Sequence, residues 1–200
     1  MMIDRLFACC ALAMVLALTA CDPVYTPRPR AYPRGILPEK AYVNHAPDDC
    51  QYRFEIPTYA EVVRDSFFFG DTIINDCWVN VRMPRLNGTI YLSYKAIGTD
   101  ITLAEVIEDA HRMTYEHTEK ADYIDEVMID NGVGVEGLMY DVGGDAASSV
   151  QFFLTDDSLH YVRGALYFEA RANADSLAPV IDFVKQDVHH LIETFRWSEL

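Results

Sequence analysis

From Cys50 to the C-terminus, short runs in which apolar and polar positions alternate are interrupted by two stretches of helical period. Gln51 to Ile56 predicts a strand closed by Pro57, and Tyr59 to Val63 a second, short one. Trp78 to Met83 alternates and then meets Pro84 and Asn87-Gly88, after which Thr89 to Lys95 follows at hairpin distance. Thr102, with Glu105 three positions on, predicts an N-cap and capping box. The helix it opens carries Leu103, Val106, Ile107, Ala110, Met113, Thr114 and His117 on one stripe. Further strands are expected at Ile124 to Ile129, Val133 to Val142, Val150 to Thr155 and Tyr161 to Phe168, with turns at Asn131-Gly132 and Asp156-Asp157-Ser158. A last amphipathic helix, Ser176 to Phe195, aligns Leu177, Val180, Ile181, Val184, Val188, Leu191, Ile192 and Phe195. Successive hairpins with two such helices, whose stripes need a sheet to cover, predict an α+β domain.

The first part of the chain reads differently. Residues 6 to 18 are an uninterrupted apolar run behind Arg5, shorter than the roughly 20 residues a bilayer crossing needs and of signal-peptide length. The run ends in Leu18-Thr19-Ala20-Cys21, which resembles the bacterial lipobox. That resemblance implies cleavage before Cys21 and acylation of its thiol and new N-terminus with fatty chains such as palmitate. Residues 21 to 40 then form a linker holding five of the nine prolines, which favours an extended polyproline spacer. The expected organisation is residues 1–20 signal peptide, 21–40 lipid anchor and linker, and 41–200 one domain. No acidic run directly follows Cys21, so a periplasm-facing protein, attached to either envelope membrane, is expected.

Charge adds an exclusion. The net charge is −15, split into +2 over residues 22 to 40 and −17 over residues 41 to 200. Nucleic acid is excluded as the main partner, because phosphate binding rests on a basic patch. Export also reinterprets the cysteines: Cys9 and Cys10 leave with the signal, and Cys21 is acylated. Cys50 and Cys77 remain, an even pair that in an oxidising compartment reads as one disulfide. A metal pair or a redox pair are the alternatives, and neither Cys-x-x-Cys nor His at ligand spacing accompanies them.

Candidate chemistry is sparse. His117 lies on the apolar stripe, where a packed histidine is the commoner outcome than a ligand. Tyr115-Glu116-His117-Thr118 offers acid-base groups that share no single face. Gly143, Gly144 and Asp145, in the loop running to Ser149, match neither a Walker loop nor Gly-x-Gly-x-x-Gly, and Ser148 and Ser149 lack a nucleophile elbow. A tight turn between strands is the simpler reading. Asp122, Asp125, Glu126 and Asp130 lack EF-hand spacing and read as a solvated face, and His189 and His190 fall off their helix stripe. No catalytic residue, cofactor or metal site is assigned. His117 with Gly143, Gly144 and Asp145 is kept as the candidate functional surface.

Several separated motifs in order resemble one family: Tyr115 to Asp122, Tyr140 to Ser148, Gln151 to Thr155, Gly164 to Phe168, Asp49-Cys50, Cys77-Trp78 and Glu193 to Trp197. Together they resemble the gliding-motility-associated lipoprotein GldD family over about residues 36 to 197. The resemblance implies a cell-envelope lipoprotein of Bacteroidota. Its implied role is to support gliding motility and the associated type IX secretion machinery as a non-enzymatic assembly component, with the membrane and envelope gliding or secretion proteins as partners. The alternative is a periplasmic small-ligand-binding or enzymatic domain using His117 and the Gly143 to Ser149 loop. The final strand feeding a long helix that ends in Phe195-Arg196-Trp197 also resembles PsbP-type domains, which implies a largely antiparallel sheet with helices on both faces.

Overall fold

The computed structural model describes residues 36–198 except 65–66, 69–70, 73–76 and 170–173. The apolar run, Cys21 and most of the proline-rich linker therefore lie outside the described residues. Strands β1 (Tyr42–His45), β2 (Tyr52–Pro57) and β12 (Arg196–Trp197) make a small antiparallel sheet in the order β1-β2-β12. Strands β3 (Glu61–Arg64), β6 (Val79–Met83), β7 (Gly88–Ala96), β8 (Ala121–Asp130), β9 (Glu136–Gly144), β10 (Ser148–Thr155) and β11 (His160–Phe168) make a seven-stranded antiparallel sheet. Its order is β3-β6-β7-β11-β10-β9-β8. Two-residue strands β4 (Phe67–Phe68) and β5 (Asp71–Thr72) pair with each other. Helix α1 is Leu103–Tyr115 and helix α2 is Ala174–Thr194.

Alternation along the strands sorts the core to two faces. On β10, every residue of which is buried, Val150, Phe152 and Leu154 join the larger core, shared with β2 and with Val184, Val188, Leu191 and Ile192 of α2. Phe153 points the other way and packs with Val106 and Ala110 of α1, Leu138, Tyr140, Val142 and Tyr161. One helix thus covers each face of the large sheet. The α+β expectation, an antiparallel sheet between helices, is met.

The local signals explain most element ends. Thr102 Oγ1 accepts from the Glu105 amide at 3.4 Å and Glu105 Oε2 accepts from the Thr102 amide at 3.0 Å, closing the capping box. Between β6 and β7, a 3-10 turn at Pro84–Leu86 ends on Asn87 at φ 51°. The closing Phe195 is fully buried and stacks on Phe54 at 5.9 Å, while Arg196–Trp197 pairs with Arg53 and Tyr52.

Three expectations need correction. The strand expected from Tyr59 starts at Glu61, because Pro57 to Ala60 forms a turn closed by the Ala60 amide on the Pro57 carbonyl at 2.9 Å. The strand expected from Val133 starts at Glu136, because Gly132 and Gly134 take φ of 72° and 80° and leave Val133 exposed. The α1 stripe stops short of His117: the α-helix ends at Tyr115, and Glu116–Glu119 is a 3-10 turn. Within α1 the buried positions are Val106, Ala110 and Thr114, and Met113 is exposed at the edge of the stripe.

Candidate functional site

The C-terminal helix hides a charge that its apolar stripe does not announce. Asp187 is 1% exposed and sits among Val184, Val188 and Leu191, at core-facing spacing. An ionised carboxylate in such a place must find donors. Lys40 Nζ reaches Oδ1 at 2.6 Å, Tyr42 Oη donates to Oδ1 at 2.9 Å, and Tyr59 Oη donates to Oδ2. Lys40 also donates to the Phe183 carbonyl at 2.6 Å and lies 3.7 Å from the centre of the Phe183 ring. The donors arrive from the start of β1 and the residues just before it, and from the turn after β2, so one carboxylate gathers two separate stretches of chain onto α2.

The fastening continues one turn along the helix. His190 stacks on the Tyr42 ring at 3.6 Å, and its Nε2 lies 2.7 Å from Glu55 Oε2 on β2. The Glu55 amide donates to Thr194 Oγ1 at 3.1 Å, and Asn131 Nδ2 donates to the Phe195 carbonyl at 2.9 Å, satisfying the end of the helix. Burial, and then the hydrogen bond to the Asp187 carboxylate, push the Tyr42 phenol up to about 12 and push the Tyr59 phenol well above the usual tyrosine value. Both phenols therefore stay protonated as donors. Each Asp187 oxygen is occupied by a donor of the chain, so the cluster acts as a clasp and not as a general base.

The residues singled out in the sequence lie outside this clasp; the turn that carries His117 reaches Gly144 through Lys120, whose amide donates to the His117 carbonyl at 3.0 Å and whose own carbonyl lies 2.9 Å from the Gly144 Cβ position. His117 is half-buried in the turn after α1, where burial and the Arg163 charge hold its imidazole below the ordinary histidine value. Gly143 and Gly144 line a cavity of about 310 Å³ between the sheet and α2, together with Tyr123, Ser149, Ile181 and Lys185. His117 and Asp145 are not among its lining residues, and Asp145 is exposed. The two glycines answer packing demands. A Cβ on Gly143 would fall 2.0 Å from the Tyr123 ring, and Gly144 has φ +90° with the Asp122 amide 2.6 Å from its Cβ position. Ser149 Oγ is buried in that cavity wall with no hydrogen-bond partner in the structure.

Cys50 and Cys77 form a disulfide with Cα atoms 5.5 Å apart. His189 is exposed, and among the described residues no group of three or more His, Cys, Asp or Glu side chains is placed to hold a metal ion. Among the described residues no helix is long and apolar enough to cross a membrane. The clasp was missed in the sequence. The available signal was Asp187 itself, three and four residues from Val184 and Leu191 on the buried stripe.

A family model described as gliding motility lipoprotein GldD matches residues 22–197 of the chain. No curated protein matches it significantly. Among solved structures it is similar to the solution structure of cyanobacterial PsbP (CyanoP) from Synechocystis sp. PCC 6803, at 15% identity and a TM-score of 0.45, over 86% of this chain and 99% of that one.

Proposed function

The chain belongs to the gliding motility lipoprotein GldD family, and on that premise we propose that it is a non-enzymatic assembly component of the envelope gliding and type IX secretion machinery. In this reading acyl chains on Cys21 hold it to a membrane, and residues 22 to 40 space the domain from that membrane on the periplasmic side. Burial of acyl chains at about 0.8 kcal/mol per CH2 makes two or three of them a durable attachment. The observation that carries the reading is the clasp. The buried Asp187 fastens Lys40, the last residue of the linker, and Tyr42, the first residue of β1, to the C-terminal helix. A domain loaded through its N-terminal tether needs that joint closed.

Deleting the gene tests it. The strain should lose type IX cargo secretion and, in a gliding host, surface spreading, and a wild-type copy should restore both. Normal secretion together with normal motility in the deletion would overturn the proposal.

A second reading keeps one half of the expected small-ligand site. The 310 Å³ cavity walled by Gly143, Gly144, Ser149, Ile181 and Lys185 favours a small ligand there, without His117. Ligand-observed NMR with a fragment library would show competition lost in Ser149→Val if the cavity binds. No fragment sensitive to Ser149→Val would remove this reading.

A further inference from the structure

Strand β8 is the terminal strand of the seven-stranded sheet, paired with β9 from Ala121 opposite Gly144 to Asp130 opposite Glu136. Among the described residues nothing pairs with its other side. An unpaired edge is a row of free N–H and C=O groups that templates another strand, and proteins blunt such edges with short strands, Lys, Pro or bulges. The opposite edge follows that rule. Strand β3 has four residues, and its charges are mixed, with Glu61 beside Arg82 and Arg64 on Asp49.

The β8 edge departs from it. It runs for ten residues, contains no Lys, Arg or Pro, and has its one register shift at the extreme end, between Ala121 and Tyr123. Apolar side chains stand in solvent on both of its faces: Met128 is 81% exposed, Val127 47% and Tyr123 46%. Every charge on it is acidic, namely Asp122, Asp125, Glu126 and Asp130. A second copy of β8 would set carboxylates against carboxylates, which opposes self-pairing. A strand bearing Lys or Arg among apolar residues would meet opposite charges across the pair and cover Val127 and Met128.

We propose that β8 accepts an extended basic segment of a partner protein as an eighth strand. The proposal rests on the assembly reading and names the kind of partner that reading requires. In this mode main-chain hydrogen bonds supply affinity, while the β8 carboxylates and exposed apolar side chains select the sequence. Like charges along β8 exclude the wrong partners, and the field of the acidic domain draws a basic segment in.

The mature acylated protein in neutral detergent, titrated with a synthetic peptide, provides the test. The probe is a ten-residue peptide alternating Lys or Arg with Val. Its control carries the same charges with three of the valines changed to Pro. The probe should bind with hydrogen-exchange protection gained at β8 amides, the control at least about tenfold more weakly, and Asp125→Lys should weaken the probe about tenfold at low salt. Asp125 is exposed, so the variant should keep the wild-type melting temperature. Equal binding of probe and control, protection gained outside β8, indifference to Asp125→Lys, or a dimer in which β8 amides are already protected would each overturn the proposal. None of these results alters the deletion phenotype, so failure here leaves the assembly reading to its own test.

Discussion

Replacing Asp187 by Ala removes an acceptor shared by three donors and leaves Lys40 with the Phe183 carbonyl as its remaining polar contact in the clasp. Breaking a buried pair at one partner costs about 3 to 5 kcal/mol, since the remaining group keeps its desolvation penalty. Urea unfolding of Asp187→Ala should show a loss of that size, and Asp187→Asn combined with Lys40→Met, which removes both charges, should recover part of it. The phenols give the same cluster a pH signature. A phenol raised to about 12 in the folded state contributes stability in full below its ordinary value near 10, and loses that contribution as pH rises from about 10 through about 12. Tyr42→Phe should therefore flatten the fall in stability between about pH 10 and 12 without removing it, because burial and then the same carboxylate raise Tyr59 as well. An unchanged slope would show that Tyr42 does not donate to Asp187. None of this network was legible along the chain, since its donors lie 128 to 147 residues from the acceptor. What could be read was the polar residue at a buried helical position.

At the scale of elements, legibility followed how local the cause is. The capping box at Thr102 and Glu105, the Asn87 turn and the apolar runs of β10 and β11 are set within a few residues, and the structure reproduces them. The beginnings of β3 and β9 were misplaced where turn geometry cut into an apolar run, at Tyr59 and at Val133. The candidate surface is divided for a different reason, His117 and Asp145 not lining the cavity that Gly143 and Gly144 line. His117 rides on the turn after α1, while Gly143 and Gly144 serve the contact between β8 and β9, and no periodicity reveals which elements will meet. The disulfide is the long-range contact that was legible, because the expected export leaves two cysteines to pair. It closes a separation of 27 residues between the turn before β2 and the residues just before β6, worth about 3.5 kcal/mol in the chain-entropy model. Cys50→Ser with Cys77→Ser should lower the melting temperature accordingly, and reductant should lower that of the wild type by the same amount. An unchanged melting temperature on reduction would mean that the bridge adds nothing to stability.

For the whole molecule, a short basic stretch over residues 22 to 40 precedes a domain of formal charge −17, and the clasp fastens the end of the one, Lys40, and the start of the other, Tyr42, to the final helix. In the proposed account the domain is useful only where its tether holds it. In that proposal localisation and function both depend on lipidation of Cys21, which separates it from one in which a free domain binds a ligand. The decisive measurement is rescue of type IX cargo secretion in the deletion strain by Cys21→Ala, exported behind a cleavable signal and matched to wild type in amount. The account predicts a soluble periplasmic protein that restores less than about a tenth of wild-type secretion. Full rescue by the untethered protein would contradict it.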